Sequence, residues 1–366
     1  QSQEFARHVI ERLTEVRGDD ALELRLKVEL GGELTAMLYS GDLATVGARL
    51  DALERGPHAA QVAADLDFVL LKASLFIYEE KFEEARALLE PYCRDEYGEV
   101  ANIKGAKPQT FNKMLRRFGE VCHYLGESVD ALEILDEAAR QALGAGIRYD
   151  YAWVSYSRAS VLLDTERLDE GIDALQHTMQ VMQQQGDRLG LSTCADLMGI
   201  YYYEQGDYSR ACGYFRRSMV HADACQDAGA WISRENLART LLKVQRYEES
   251  LELARMIERE HAERGRDVIF LHHVHDIILT CIAGIGLWDC WDVQWTKAKA
   301  EIAALEAEYD PSAEGFELLA DLLLERGEFI RAAELLDLLE ARWRELDAGD
   351  ALERIAEKRA LIPARG

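Results

Sequence analysis

One short pattern recurs along most of this 366-residue chain: a turn-like residue, an apolar or aromatic side chain two positions on and, in most copies, a small residue five on. Gly126 to Ala131 (GESVDA), Glu166 to Gly171 (ERLDEG), Gly206 to Ala211 (GDYSRA), Gln245 to Ser250 (QRYEES) and Gly327 to Ala332 (GEFIRA) carry it most clearly. Glu80 to Ala85 (EKFEEA) is a further copy, Gly41 to Val46 (GDLATV) is weaker, and the copy at Gly286 (GLWDCW) is degenerate. Turn residues at 41, 80, 126, 166, 206, 245, 286 and 327 give steps of 39, 46, 40, 40, 39, 41 and 41. Such a period signals stacked supersecondary units, none of which can bury its apolar face alone.

Each position has a task in a helix-turn-helix hairpin. The turn residue ends the first helix, and the small residue five later opens the second helix to close approach. A second small residue is expected seven before the turn, and Ala73, Gly119, Ala159, Gly199, Ala238 and Ala320 occupy that place, with Leu34 and Leu279 as exceptions. Phe82, Leu168, Tyr208, Tyr247 and Phe329 are placed to plug the space between one hairpin and the next. With 5 prolines in the whole chain and abundant Ala, Leu, Glu and Arg, long uninterrupted helices are permitted throughout.

These residues resemble the tetratricopeptide repeat (TPR), whose pattern has a small residue in the first helix, a Gly-like turn seven later, then an aromatic and an Ala. The resemblance covers roughly residues 22 to 345. It implies an all-α fold: an α-solenoid, a right-handed superhelix of about eight hairpins with terminal capping helices, residues 1 to 366 forming a single array. The period is near 40 where the short form has roughly 34, so each repeat gains about six residues, more than one helical turn. The proline that often closes a repeat is absent. The long-helix variety in bacterial regulators related to the maltose-regulon activator, in peptide-responsive regulators of Gram-positive bacteria and in kinesin light chains is similar. Residues 1 to 20 read as an N-terminal cap and 346 to 366 as a C-terminal cap and tail. The one long step places a longer loop near 96 to 110, where Gly98, Gly105 and Pro108 interrupt any helical apolar period.

Charge and motifs narrow the function. A formal charge of −25 argues against nucleic-acid binding by the chain itself, since phosphate neutralisation needs clustered Lys and Arg. No apolar run reaches the roughly 18 to 20 residues that span a bilayer, and the N-terminus lacks a signal-peptide core, so a cytoplasmic protein without a membrane partner is expected. Seven cysteines without a C-x-x-C pair read as reduced, mostly buried thiols. The chain starts at Gln1, not Met, which leads us to expect a piece of a longer polypeptide. No phosphate-binding, dinucleotide, hydrolase, zincin or calcium-loop motif is present, so neither catalysis nor a cofactor is expected.

Three clusters remain. His272 and Asp276, in FLHHVHDIIL, are four apart on one helix face, a spacing that suits a metal, against a bland reading as hydrogen-bonded structural groups. Trp288, Trp291 and Trp295 form a stripe, read mainly as packing against the next hairpin, with an exposed ligand site as its rival. The concave groove implied by the resemblance is lined by first helices. There Lys113, Arg116, Arg117, Asn236 and Arg239 are candidates to hold acidic side chains or a C-terminal carboxylate, with Trp153, Tyr156 and Tyr203 as apolar contacts. Asn236 matches the asparagine of the chaperone-type carboxylate-clamp repeats, whose remaining pattern is not reproduced. In the opposing reading the arginines merely pair with nearby Glu and Asp. The expected function is a non-catalytic protein-interaction or regulatory scaffold, part of a larger bacterial signalling protein, that binds a protein or peptide segment, with an acidic one as the sharper hypothesis. Its rivals are a regulator gated by a signal peptide or small molecule and, third, a metal-dependent enzyme using His272 and Asp276.

Overall fold

The computed structural model describes residues 26 to 363 except 27, 40–41, 102–107, 226–228, 265–271, 305–312 and 347. A π-helical turn, Glu29–Leu34, runs into α1 (Thr35–Tyr39), followed by α2 (Leu43–Glu54), α3 (Ala59–Ala63), α4 (Leu66–Tyr78) and α5 (Phe82–Cys93). Then come α6 (Pro108–Tyr124), α7 (Ser128–Gly144), α8 (Arg148–Asp164), α9 (Leu168–Gln185), α10 (Arg188–Glu204) and α11 (Tyr208–Cys225). The remainder is α12 (Ala230–Lys243), α13 (Tyr247–Arg264), α14 (His272–Ile285), α15 (Trp291–Ala304), α16 (Ala313–Glu325), α17 (Phe329–Glu345) and α18 (Gly349–Ala360). The fold is an all-helical α-solenoid built of hairpins. It divides into two compact units, Gln1–Met198 with His221–Gly229, and Gly199–Val220 with Ala230–Gly366.

The turns fall where the repeat places them. Glu80, Gly126, Glu166, Gly206, Gln245, Gly286 and Gly327 all have left-handed backbones, with φ from 57 to 84°; Gly41 lies outside the described residues. At each of the seven, the next residue's N–H reaches back to the carbonyl five before it, as in Glu127 to Cys122 (2.8 Å) and Arg246 to Leu241 (2.9 Å). This closes the helix by the Schellman geometry. Glycine adopts it without a Cβ penalty, whereas Glu80, Glu166 and Gln245 do so under strain. In the repeats built of α6 to α11 the added length sits in the helices, which have 17 or 18 residues each.

The small positions are close approaches. A Cβ on Gly119 would lie 2.8 Å from Leu135 Cγ, and one on Gly199 would lie 2.5 Å from Phe215 Cε1. Ala73, Ala159, Ala238 and Ala320 are fully buried, as are Ala85, Ala131, Ala211 and Ala332 on the second helices. Phe82 stacks on Tyr124 of the next hairpin with centroids 4.8 Å apart, and Tyr247 packs on Gly284 of α14. At the seventh hairpin the motif is degenerate because Leu279 and Trp291 occupy both small positions, each buried. A 3-10 turn, Trp288–Cys290, separates its helices, so Trp288 precedes the helix that carries Trp291 and Trp295. Trp291 and Trp295 are buried, and the Arg331 guanidinium of α17 lies 4.7 Å from the Trp288 ring centre and 5.6 Å from that of Trp291. The tryptophan stripe is thus a packing element against the following hairpin.

The long step also has a local cause. Pro91 lies inside α5, which ends two residues later, and an antiparallel bridge joins Arg94 to Val100. Helix α6 begins at Pro108, within the expected loop, because proline's fixed φ and missing N–H suit a first helical position. The expected cap at residues 1 to 20 lies outside the described residues. Among the described cysteines, five are buried and Cys225 and Cys290 are exposed. No helix among the described residues is long and apolar enough to cross a membrane.

Candidate functional site

Within each unit, first helices of successive hairpins lie side by side: α4, α6 and α8 in one, and α12, α14, α16 and α18 in the other. Their facing residues decide which candidate groups are available to a ligand. In the α6/α8 seam, Arg116 Nη1 and Arg117 Nη1 donate to the two oxygens of Glu120, at 2.7 and 2.8 Å. The Ser157 hydroxyl donates to the same carboxylate at 2.6 Å. Burial alone would raise the Glu120 carboxyl, but the two guanidinia and the hydroxyl outweigh it and hold it at about 2. The Arg116 guanidinium also lies over the Trp153 ring at 5.7 Å, and Trp153 meets Tyr156 edge-on at 5.9 Å. Lower in the seam, His123 Nε2 bonds Asp164 at 2.7 Å. Arg116 and Arg117 are therefore engaged with Glu120, as the bland reading of the sequence has it. Lys113 is exposed, while Trp153 and Tyr156 are half-buried on α8.

The second unit repeats the arrangement with different chemistry. Arg239 Nη1 donates to Asp276 Oδ2 at 3.0 Å, and Arg239 Nε to Glu235 at 3.1 Å. Asp276 is buried and accepts the Ile277 N–H at 2.6 Å. Burial pushes its carboxyl up to about 6 in spite of Arg239, whereas the two acids keep the Arg239 guanidinium above its ordinary value against the effect of burial. A Cβ on Gly315 of α16 would collide with Asp276 Oδ2, so this glycine lets three first helices meet at one carboxylate. Asn236 is half-buried beside them, and its carbonyl accepts from Thr240 at 2.7 Å. Tyr203 meets Tyr208 edge-on at 5.4 Å and carries the Lys243 ammonium at 5.9 Å over its ring. Lys113, Arg116, Arg117, Trp153 and Tyr156 thus lie in one unit and Tyr203, Asn236 and Arg239 in the other.

Asp276, a candidate metal ligand in the sequence, is here the partner of Arg239, in keeping with the structural reading of that cluster; the His272 side chain lies outside those described. Its neighbour His275 is buried and accepts from the Gln294 amide through Nδ1, and Gln294 in turn accepts from Arg255 at 2.9 Å. Among the described residues no group of three or more His, Cys, Asp or Glu is placed to hold a metal.

A register unites the seams. Glu120–Ser157, Arg239–Asp276, Glu317–Arg354 and Asp321–Lys358 are all pairs 37 residues apart, one repeat less about a helical turn. The partner of Arg116 and Arg117, Glu120, lies within one turn on the same helix, where the sequence reading allowed it; the partner of Arg239 was missed, because the reading followed the turn period of about 40 and not the stagger of adjacent helices. Searching for complementary polar pairs 37 apart is the signal that finds Arg239–Asp276 and Glu120–Ser157. Asp150 was missed as well: it lies one helical turn before Trp153, on the face turned to Lys113 and Arg116.

The tetratricopeptide repeat family matches residues 150–219. No curated protein matches the sequence. A Rap protein complexed with Competence and Sporulation Factor superposes with a TM-score of 0.61 at 14% identity, over 98% of this chain and 90% of that one. The apo form of RapI gives 0.53 at 13% identity, over 78% and 99%. A signal transduction ATPase with a tetratricopeptide repeat sensor from Pyrococcus horikoshii gives 0.54 at 13% identity, over 97% of this chain and 55% of that one. Residues 150–219 match the tetratricopeptide repeat, and the helical-hairpin fold of the chain is like that of these solved structures.

Proposed function

We propose that this chain is a non-catalytic interaction module that holds a segment of a partner protein or a peptide on its first-helix face. The observation that carries the reading is the strip on α6 and α8, where half-buried Trp153 and Tyr156 meet edge-on, Arg116 lies over the Trp153 ring, and exposed Lys113 stands one turn before Arg116. Aromatic rings beside a cation offer contact area at low entropic cost, with one charge to set direction. On the second unit, Tyr203 with Lys243 over its ring, Asn236 and Arg239 are the candidate contacts. Arg116 and Arg117 bring two positive charges against the single charge of Glu120, so acidic groups of the segment are favoured along α6.

The experiment is selection of a displayed random-peptide library on the chain, followed by binding measurements on variants. Lys113→Glu and Trp153→Ala should weaken the selected segments about tenfold or more, whereas Arg140→Glu, an exposed charge on α7, should leave them unchanged. Equal effects at both places would refute the assignment. A second reading, a regulator gated by a signal peptide, is supported by the likeness to the Rap protein complexed with Competence and Sporulation Factor. Under that reading a short peptide raises the melting temperature and compacts the chain in small-angle scattering.

A further inference from the structure

The polar ladder between first helices has one rung that is left open. In the α4/α6 seam, the Thr110 hydroxyl donates to Asp67 Oδ1 at 3.0 Å. Thr110 stands sixteen residues before its turn and Asp67 thirteen before its own. Asp150 and Lys113 hold the same two places in the α6/α8 seam. Here the rung does not close: Asp150 is 6% exposed, and its Oδ2 is buried with no hydrogen-bond partner. Lys113 and Arg116 act on this carboxylate only through their charge, and burial still holds the carboxyl above the ordinary range. Arg116 is already committed to Glu120 and the Trp153 ring.

An orphaned buried acceptor costs about 1–3 kcal/mol, so a donor arriving from outside recovers it. The surroundings limit what that donor can be. A second cation would meet Lys113 and Arg116, and an anion would meet Asp150 itself. A trans peptide unit points its N–H and C=O in opposite directions, so one such unit cannot serve both Asp150 and Lys113 from the same side. A side-chain carboxamide presents a donor and an acceptor along one planar edge. The Trp153 indole, one turn on, supplies an apolar wall beside it.

We propose that the open rung of Asp150 and Lys113 receives the carboxamide of an Asn or Gln in the bound segment, its N–H donated to the Asp150 carboxylate and its oxygen accepting from Lys113. This rests on the reading of the first-helix face as a segment-binding surface, and it names that face's selectivity. The test uses nine-residue segments selected on the full chain, made synthetically with Gln, Leu, Lys or Glu at each position in turn. Affinity is measured on the wild type, Asp150→Ala and Asp150→Asn, with circular dichroism melts to establish that each variant folds. The expected result is one position at which Asn or Gln beats Leu by about tenfold, close to the worth of a hydrogen bond to a charged group. That margin should vanish in Asp150→Ala and shrink in Asp150→Asn. Segments that bind but show no amide preference, or prefer Lys or Glu at that position, overturn the proposal and leave the segment-binding reading standing. Failure to select any binding segment overturns that reading too.

Discussion

Replacing Glu120 by glutamine tests whether Arg116 and Arg117 are structural before they are anything else. The carboxylate is bonded by both guanidinia and by Ser157, and each arginine side chain is only 14% exposed. Its carboxyl is held at about 2 against an ordinary 4.5. At about 1.4 kcal/mol per unit, that difference sets a ceiling of about 3 kcal/mol on what ionised Glu120 contributes. The variant also leaves two guanidinia side by side with no countercharge, so a loss of about 2–3 kcal/mol is expected at pH 7. Because the folded-state value is depressed, the contribution is complete above about pH 4.5 and fades as pH falls toward 2. The gap between wild type and E120Q in urea unfolding, followed by far-ultraviolet circular dichroism, should therefore be widest at neutral pH and close on acidification. A gap below about 0.5 kcal/mol at pH 7, or one unchanged at pH 3, would refute the structural role of this cluster.

Other expectations follow from single contacts. Glu80→Gly, Glu166→Gly and Gln245→Gly relieve left-handed backbone, and each should raise stability by about 0.5–1 kcal/mol in thermal melts, whereas Gly126→Ala should lower it by a similar amount. Gly199→Ala drives a methyl group into Phe215 and should cost about 1–3 kcal/mol by denaturant titration. Asp276 has the opposite linkage to Glu120. Its folded-state carboxyl is raised to about 6, so relative to Asp276→Asn the wild type should lose stability as pH climbs from about 4 to about 6, as read from paired unfolding curves. Trp291→Ala empties a fully buried site beneath Arg331 and should cost about 3–5 kcal/mol in the same assay.

The hairpins were readable because their signals are local. A turn residue that must take a left-handed backbone and a small residue that must admit a neighbouring helix each leave a mark at a fixed offset, and all seven described turns fall at the expected residues. Glu80, Glu166 and Gln245 show that the register tolerates a residue that turn propensity disfavours, since the flanking helices impose the backbone there. The seams were only half legible. Arg116 and Arg117 reach Glu120 within one turn of their own helix, a local spacing, but what Arg239 and Ser157 touch depends on the stagger between helices a repeat apart, which no local pattern records. The same holds for Asp276, whose four-residue spacing from His272 suggested a metal until Arg239 of the preceding hairpin proved to be its partner. Asp150 gave no sequence signal, because an open rung is visible only when its closed counterpart at Thr110 and Asp67 is set beside it.

The segment-binding account is tested most directly by locating a bound segment. A selected peptide bearing a photoreactive group, cross-linked to the chain and mapped by mass spectrometry, should mark first helices, with α6 and α8 around Lys113 and Trp153 foremost. Cross-links gathered on the second helices α7 and α9 would contradict it.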